Sequence, residues 1–523
     1  MERKWWTLIA VSIAIFMLLL DITVVNVALP DIQRSLHSSF SDLQWVVNAY
    51  ALTLAAFLLT AGAVSDLIGR RRVFLIGLVI FTCASAVCGL SSSPLMLNLA
   101  RAVQGTGGAM MFATSLALVA QAFQGRERGT AFGVFGAVTG AAVAVGPVLG
   151  GVITSGIGWK WIFFVNVPIG IFAVYVTLNK VTESRDPGAR GVDWAGLLSF
   201  SGALFLLVYA LVQGNEKGWG STEIIALLAG AAVLMAIFLI AEHLQTRPML
   251  DLALFRRPAF AGANIVALTL SSSFFAMFLY LTLYMQDVLG YSPIQAGLRF
   301  LPTTLLSFAV SPIAGRLTVR MPVRLLLGSG LMLIGAGLLA MTAIDASSSW
   351  TALILPFVLA GTGVGLVNPP LASTAIGVVP NERSGMASGI NSTFRQVGIA
   401  TGIAGLGAIF QHDVTRTTTS TLRAGGHAGE VLRAAHGHLS TLLQSGEVAK
   451  FSHGLSAPAH AALEHAYRVG FTGAFSTIAA IAAAIALTGS VLAFALVRGR
   501  DFVASSRGPR VVRETEAVAS VAG

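Results

Sequence analysis

Long apolar runs separated by short polar segments dominate the chain up to residue 497. A helix that crosses the bilayer core needs about 20 predominantly apolar residues. Fourteen runs reach that length, so we predict fourteen transmembrane helices. They lie at residues 7–29, 45–64, 73–92, 95–121, 130–154, 161–180, 195–213, 222–242, 260–285, 296–319, 323–343, 350–378, 385–410 and 469–497.

Two longer segments do not have the spanning pattern. Residues 411–468 are polar and alanine-rich and hold seven of the nine histidines. We predict a long extracytoplasmic loop there, with one amphipathic helix around Val431 and Leu432. A metal-binding or pH-sensing role is the weaker alternative, because the histidine spacings make no compact ligand set. Residues 498–523 are predicted to form a basic cytoplasmic tail.

The composition indicates a protein of the cell membrane. Hydrophobic residues make up 55% of the chain, charged residues 11%, and the mean hydropathy is +0.79. Soluble globular proteins carry about 25% charged residues. These values exclude a cytosolic enzyme, a secreted disulfide-rich domain and a disordered protein.

The basic residues predict the orientation of the helices. With the N-terminus in the cytoplasm and the spans alternating, 22 of the 33 lysines and arginines fall on the cytoplasmic side. Cytoplasmic loops of membrane proteins carry such an excess. We therefore predict an all-α integral membrane protein with cytoplasmic N and C termini. The net charge of +10 is explained by these loops, so nucleic acid is not expected as a partner.

Three charged residues lie deep inside predicted spans, where a charge is costly and usually functional. Asp21 is the only deep acid, and Arg101 and Arg395 are the deep bases. Asp21 and Arg101 lie roughly 10–12 Å below the outer surface, counted at 1.5 Å per residue. They can meet if spans 1 and 4 are neighbours. We expect a site that takes up and releases a proton, with a static buried ion pair as the alternative.

Two further sequences stand out by their glycines and charges. Span 5 is rich in glycine and contains Pro147, which favours close helix packing and a kink. The loop at residues 62–72 combines two glycines, Asp66 and three consecutive arginines. Cytoplasmic anchoring explains the arginines but leaves the acid and the glycines unexplained. We predict a charge clasp between cytoplasmic helix ends.

Six stretches, in order along the chain, resemble motifs of the major facilitator superfamily. They are residues 20–30, 62–72, 97–109, 133–151, 159–168 and 391–396. The second to fourth are similar to the superfamily's signature loop, span-4 motif and span-5 antiporter motif. The others are similar to motifs of its fourteen-span drug:proton antiporters. There are two departures: Ala142 replaces a usual glycine, and Val319 stands in the second-half repeat of the loop where the first half has Asp66.

The resemblance implies the major facilitator fold, with two six-helix bundles related by pseudo-symmetry and two additional spans between them. The predicted units are a bundle at 1–181, two linking spans at 182–258, a second bundle at 259–410 and 469–497, the loop at 411–468 and the tail at 498–523.

The resemblance also implies roles for individual residues. Asp21 would carry the coupling proton, and Arg101 and Gln104 would tune it. The residues that would hold the cytoplasmic gate are Gly62, Asp66, Gly69, Arg70 and Arg71. The antiporter motif, which is typical of proton-driven exporters, is represented by Gly146, Pro147, Gly150 and Gly151.

The implied function is a proton-coupled antiporter that exports drugs or other amphipathic small molecules, driven by the proton-motive force without a cofactor. A facilitator or importer of a specific metabolite and a dedicated exporter of an endogenous antibiotic or lipid are the alternatives. A receptor or scaffold has no need of the deep charges. No P-loop pattern is present, which excludes ATP-driven export. No nucleophile or metal-ligand set stands out, so neither an enzyme nor a metal site is expected.

The single deep acid also limits the expected substrate. A second positive charge would find no counter-charge in spans 9–13, so we expect a lipophilic monovalent cation or a neutral amphiphile, transported by a monomer. The candidates for the substrate cavity, each with packing as its alternative role, are Asn26, Trp45, Asn48, Tyr50, Phe274, Phe278, Tyr280, Tyr284, Asn391 and Arg395.

Overall fold

The computed structural model of the protein describes residues 2–123, 125–185, 191–245, 248–318, 320–379, 384–425, 428–434 and 455–502. Within these residues, fourteen long helices follow one another along the chain. They are α1 (Arg3–Leu36), α2 (Phe40–Ile68), α3 (Arg70–Leu90), α4 (Pro94–Ala122), α5 (Gly125–Ile157), α6 (Trp161–Lys180), α7 (Trp194–Lys217), α8 (Thr222–Leu244), α9 (Pro258–Val288), α10 (Pro293–Leu317), α11 (Val323–Ala343), α12 (Trp350–Gly377), α13 (Ser384–Ala424) and α14 (Ala457–Leu496).

Each predicted span coincides with one of these helices, and thirteen are long and apolar enough to cross a membrane. The exception is α13, whose central turns carry Asn391, Arg395 and Gln396. It nevertheless packs against α2, α7, α9, α12 and α14, so it lies inside the helix assembly. Because neighbouring helices surround it, α13 does not need an apolar surface all round.

The prediction of one long loop at residues 411–468 is wrong at both ends. Helix α13 continues to Ala424, α14 begins already at Ala457, and a short helix occupies Ala428–Ala434. The extensions bury apolar side chains against each other: Leu422, Val431, Ala459, Leu463 and Ala466. This burial offsets the cost of ordering the extra turns. Three predictions lie outside the described residues, namely the rest of the amphipathic helix at 435–454, Val319 and the tail from 503 onward.

The helices pack in the order that the pseudo-repeat requires. Helices α1–α6 contact one another as an N-terminal bundle, and α9–α14 do so as a C-terminal bundle. The additional pair, α7 and α8, pack together, and α7 contacts α2 and α13, where the two bundles meet. Helix α9 contains two π-helical turns, at Ser271–Phe275 and Tyr284–Val288. Such turns usually mark functional or bent positions.

The two ends of the assembly differ in how closely the bundles approach. We call the end where α1 begins the terminal face and the end where α1 finishes the far face. Near the far face, Gln286 Nε2 donates to the carbonyl of Val27 at 2.7 Å, and Gln44 Nε2 donates to the carbonyl of Ile403 at 2.9 Å. Both bonds join the N-terminal bundle to the C-terminal bundle, so the far face is closed.

Toward the terminal face, α5 has open space beside its first turns. A methyl group added at Gly133 or Gly136 of α5 would meet no atom within 4 Å, and one added at Gly140 would only touch Phe308 of α10 at 3.7 Å. Helix α5 is therefore free on this side over its first turns. The described conformation is closed at the far face and wider toward the terminal face.

Candidate functional site

The deep acid and base predicted from the sequence lie in contact in the N-terminal bundle. Asp21 on α1 is 3% exposed and Arg101 on α4 is 1% exposed. One guanidinium nitrogen, Nη1 of Arg101, forms a hydrogen-bonded ion pair with Oδ2 of Asp21. The depth estimate along each helix was therefore correct, and spans 1 and 4 are neighbours.

Gln104 completes this pair because it lies three residues after Arg101 on α4, on the same side of the helix. Its Oε1 accepts a hydrogen bond from Arg101 Nη1 at 2.8 Å, and its Nε2 donates to Asp21 Oδ1 at 2.9 Å. Arg101 Nε donates to the carbonyl of Val46 on α2 at 3.1 Å. Both carboxylate oxygens of Asp21 are thus hydrogen-bonded, and the two charges balance inside a buried site.

Two polar residues of this site were not selected from the sequence. Asn166 Nδ2 on α6 lies 3.5 Å from Asp21 Oδ1 and 3.1 Å from Ser85 Oγ on α3. Ser85 Oγ in turn donates to the carbonyl of Phe163 at 2.9 Å. Asn166 belongs to the 159–168 motif and is a lone amide in an apolar run, which is a signal that was available. Ser85 offers no comparable signal.

Aromatic rings close the site against water. The Cζ atom of Arg101 lies 4.3 Å from the centroid of the Tyr50 ring and 5.8 Å from that of Phe163. A guanidinium over an aromatic face is attracted by the ring. Asp21 and Arg101 therefore form an ion pair that the surrounding helices bury almost completely.

The signature loop forms the predicted clasp at the terminal face. Arg70, the first residue of α3, pairs with Asp66 in the last turn of α2 at 2.8 Å from Nη2 to Oδ1. Gly69 between them has φ +119°, a backbone conformation that L side chains rarely adopt. The Asp66 and Arg70 side chains are partly exposed, so the pair by itself contributes little to stability.

Glu183, which follows α6, was missed by the sequence analysis. Its Oε1 accepts hydrogen bonds from the backbone N–H groups of Arg71 at 3.0 Å and Ser184 at 2.9 Å. The Arg71 side chain reaches the other way and donates from Nη2 to the carbonyl of Leu178 at 2.6 Å. A carboxylate at the start of α3 also suits the helix dipole. The loop is therefore tied to the end of α6, within the N-terminal bundle.

Gly62 does not show the close contact expected of a motif glycine, since a methyl group there would meet nothing within 4 Å. A methyl group added at Gly69 would instead lie 2.6 Å from the Glu183 carboxyl carbon. The two glycines of the loop therefore differ. Backbone conformation and packing require a glycine at position 69, whereas neither requires one at position 62.

The antiporter motif of α5 is a packing surface with two sides. Gly146 leaves room for Thr23 of α1, and a methyl group at Gly150 would lie 2.9 Å from the carbonyl oxygen of Val24. On the other side, a methyl group at Gly151 would lie 2.6 Å from the carbonyl oxygen of Pro293 on α10. Helix α5 therefore connects α1, two residues beyond Asp21, to the C-terminal bundle.

Pro147 belongs to the same contact with α10. Its carbonyl lies so close to Gly297 that a side chain there would overlap it. About two turns further toward the far face, Ser155 Oγ accepts a hydrogen bond from the backbone N–H of Ile294 at 3.0 Å. The motif is thus part of the far-face closure in this conformation.

Most aromatic cavity candidates are packing residues in this conformation. Trp45 packs against Phe205 and Tyr209 of the additional helix α7, with the rings tilted relative to one another. Tyr50 lies over the guanidinium of Arg101 in the N-terminal bundle. The other four aromatic candidates pack within the C-terminal bundle or at its contact with the N-terminal bundle: Phe274, Phe278, Tyr280 and Tyr284. A ring in a span satisfies the same sequence pattern whether it faces a cavity or a neighbouring helix, so the sequence left both roles open.

Two of the polar candidates have hydrogen-bond partners, and one has none among the described residues. Asn26 donates to the carbonyl of Ile22 in its own helix at 3.0 Å. Asn391 Nδ2 lies 3.3 Å from the carbonyl of Ala263 and from Asn264 Oδ1, where α13 crosses α9. Asn48 is fully buried on α2, and within the described residues neither atom of its amide group has a hydrogen-bond partner.

Arg395 is the last deep charge. It lies on α13, is partly exposed, and donates a hydrogen bond from Nη2 to Oδ1 of Asn368 on α12. It is far from the Asp21 site in the sequence and belongs to the other bundle. The structure thus gives each bundle one deep arginine, of which only Arg101 has a carboxylate partner among the described residues.

Comparison with known proteins gives relatives whose names describe drug resistance, export or efflux. The chain is 42% identical over 405 residues to the multidrug resistance protein Stp of Mycobacterium tuberculosis, covering 77% of this chain and 75% of that protein. It is 35% identical over 408 residues to the tetracenomycin C resistance and export protein of Streptomyces glaucescens, covering 78% and 76%. It is also 35% identical over 413 residues to the drug efflux pump JefA of M. tuberculosis, covering 78% and 80%.

Solved structures agree on the fold. A bacterial homologue of the human lysosomal transporter Spinster, in an inward-facing and occupied conformation, matches with a TM-score of 0.60 and 16% identity over 95% of this chain and 97% of that one. A POT family peptide transporter matches with a TM-score of 0.63 and 13% identity over 97% and 99%. The family model for the Major Facilitator Superfamily matches residues 11–403. The chain therefore belongs to the Major Facilitator Superfamily and is a multi-pass transporter of the cell membrane.

Proposed function

We propose that the protein is a proton-coupled antiporter that exports amphipathic small molecules by alternating access. The observation that supports this most directly is the dry network of Asp21, Arg101, Gln104 and Asn166. The Asp21 carboxylate in this network keeps its partners only while α1, α4 and α6 hold their present positions. A carboxylate in that situation couples proton binding to helix movement.

The packing of α5 supplies a route for the movement. Thr23 lies two residues after Asp21 and fits against Gly146, and Gly151 on the other side of α5 lies against Pro293 of α10. A shift of α1 on protonation of Asp21 therefore bears on the far-face contact between the bundles. Protonation separates Asp21 from Arg101 and loosens this contact, and return of the pair after proton release restores it.

The direction of transport is proposed from the relatives. Their names describe resistance to several drugs, resistance to and export of tetracenomycin C, and drug efflux. Export of a drug-like or antibiotic-like compound is the corresponding function for this chain. A dedicated exporter of one endogenous antibiotic would use the same machinery and would differ in the range of its substrates.

Reconstitution into liposomes tests the proposal. Purified protein in vesicles loaded with a fluorescent amphiphile should move the dye only when an inward-directed proton gradient is imposed, and the vesicle lumen should acidify as the dye moves. Dye movement that is equally fast without a gradient, with no proton movement, would identify a facilitator. A panel of structurally unrelated compounds in the same vesicles distinguishes a multidrug exporter from a dedicated one.

A further inference from the structure

The charges in the middle of the membrane do not balance. Asp21 and Arg101 neutralise each other in the N-terminal bundle. In the C-terminal bundle, Arg395 has only the neutral amide of Asn368 as a hydrogen-bond partner among the described residues, and no carboxylate forms an ion pair with it there. The deep region therefore carries one uncompensated positive charge, which is costly to keep in a membrane protein without a use.

Arg395 lies too deep to reach either surface. It comes eleven residues after Ser384, where α13 begins, which at 1.5 Å per residue places it about 16 Å along the helix. An arginine within about one turn of a helix end can extend its side chain to the interface. At the position of Arg395 this is not possible, so the interfacial explanation does not apply.

Arg395 and Asn368 both keep part of their surface accessible. Helix α13 is enclosed by α2, α7, α9, α12 and α14, and α12 packs against α10 and α11. Accessible surface on two contacting side chains at this depth therefore faces space inside the assembly. The pair is therefore accessible from inside the assembly.

Further unsatisfied polar atoms lie close by along the helices. Gln396 follows Arg395, and its Oε1 is buried without a hydrogen-bond partner among the described residues. Asn48 on α2, with its free amide group, lies one turn from Gln44, which bonds to α13 at Ile403. Helices α2 and α13 thus bring donors and acceptors from both bundles to the same interface.

From this geometry we propose that Arg395 and Asn368 form a subsite that binds an oxygen anion, a carboxylate or phenolate, on an amphipathic substrate. The guanidinium fork matches the two oxygen atoms of a carboxylate and can also donate to the single oxygen of a phenolate, and Asn368 holds the fork in place. The inference rests on the proposed export function and narrows its substrate class. Monoanions, and neutral amphiphiles with strong oxygen acceptors, are preferred, whereas a monovalent cation would meet a like charge.

Equilibrium binding to the purified protein tests this without requiring transport. The probes are three amphiphiles with one aromatic skeleton that end in a carboxylic acid, its methyl ester or an amine. Native protein should bind the acid most tightly and the amine most weakly. Arg395→Gln should weaken acid binding roughly tenfold to hundredfold, as expected for a lost hydrogen bond to a charged group. It should change ester binding far less, and Arg395→Lys should restore part of the loss.

Two further variants sharpen the test. Asn368→Asp keeps the acceptor for Arg395 but supplies the missing negative charge, so it should abolish the preference for the acid while leaving the protein folded. Arg299→Gln is the matched control, because that arginine stacks on Tyr291 and Trp350 instead of facing the interior. It should leave the order of the three probes unchanged.

The outcomes separate the two proposals. Equal weakening of all three probes by Arg395→Gln, or an unchanged order in Asn368→Asp, would show that Arg395 only supports packing. Replacing gluconate by chloride at constant ionic strength checks for a site that serves inorganic anions: strong competition by chloride without a preference for the acid overturns the inference. If the acid preference holds but vesicles show no proton-driven efflux, the export proposal fails and the subsite stands.

Discussion

At the scale of single residues, the chemistry of this protein depends on which charges find partners. Asp21 has three donors around it, namely Arg101, Gln104 and Asn166, while Arg395 has a neutral partner. A buried ion pair is valuable less for stability than for what happens when one partner changes its charge. An arginine therefore neutralises a carboxylate in the N-terminal bundle, whereas in the C-terminal bundle it keeps its positive charge beside a neutral amide.

The first prediction concerns Asp21. Asp21→Asn should abolish dye efflux driven by a pH gradient in vesicles while leaving equilibrium binding of a neutral substrate intact, because the titratable group is lost while the side chain keeps its size. Asp31→Asn, at the exposed end of the same helix, is the control and should transport normally. Full proton-driven efflux by the Asp21 variant would remove this residue from the coupling step.

Loss of fold must be separated from loss of coupling in this experiment. Asn at position 21 leaves Arg101 buried without a counter-charge, which costs about 3–5 kcal/mol. The double variant Asp21→Asn/Arg101→Leu removes both charges and should recover membrane abundance without recovering transport. Recovered transport in the double variant would favour a purely static role for the pair.

At the scale of helices and loops, close contacts between backbones decide which positions tolerate change. The α2–α3 turn depends on Gly69 for its positive φ and on Glu183 for the start of α3. The contact of α5 with α10 depends on Gly151 and Gly297. Helix backbones in membranes associate through such small residues, because lipid provides no hydrophobic drive for helix association.

The second prediction compares the two glycines of the signature loop. Gly69→Ala should lower the melting temperature and the folded yield, because a side chain at φ +119° costs about 1–3 kcal/mol and its methyl group meets the Glu183 carboxylate. Gly62→Ala should have the same melting temperature as the native protein, since a methyl group at this position would meet no atom within 4 Å. Equal tolerance at both positions would show that the turn relaxes.

The third prediction concerns the clasp itself. Asp66→Asn and Arg70→Ala should each reduce efflux while membrane abundance stays near normal. The pair is partly exposed, so it adds little to stability. A loss of 1–2 kcal/mol in conformational bias nevertheless shifts a two-state population several-fold or more. Native efflux rates in both variants would reduce the loop to a topological anchor.

At the scale of the whole molecule, the far-face closure defines the state described here. Cross-bundle bonds from Gln286, Gln44 and Ile294 hold this end together, whereas α5 is free toward the terminal face. Alternating access requires that these contacts break in each cycle. Blocking their separation should therefore stop transport altogether.

The fourth prediction uses a cross-link across that closure. Cysteines at Ser155 and Ile294 should form a disulfide on oxidation, since Ser155 Oγ and the Ile294 backbone nitrogen lie 3.0 Å apart. Oxidised protein should not transport, and reduction should restore the rate. The single variants keep the same native cysteines, Cys83 and Cys88, and should be insensitive to oxidant. Transport by the fully cross-linked protein would mean that the far face does not open here.

The fifth prediction concerns orientation. A reporter fused after residue 497 should be cytoplasmic, and a cysteine at Ser347, in the loop between α11 and α12, should react with an impermeant maleimide added outside. The physical basis is the excess of basic residues in the segments assigned to the cytoplasm. Labelling of Ser347→Cys only after the membrane is permeabilised would reverse this assignment.

The sequence by itself determined the elements and the chemistry that is costly in lipid. Length and apolarity are local properties, so all fourteen helices could be placed, and depth along a helix was enough to bring Asp21 and Arg101 to the same level. The signature loop was also recognisable, because its charges lie within six residues of one another. These inferences need no knowledge of which helix lies beside which.

Tertiary structure alone decided which way each helix faces. Spans that are apolar all round show no polar stripe that would fix their rotation, so Trp45 could not be assigned to α7, nor Asn166 and Ser85 to Asp21, before packing was known. Glu183 is remote in sequence from the turn it stabilises. Contacts between distant segments likewise extended α13 and α14 and closed the far face, since that burial exists only when both partners are in place.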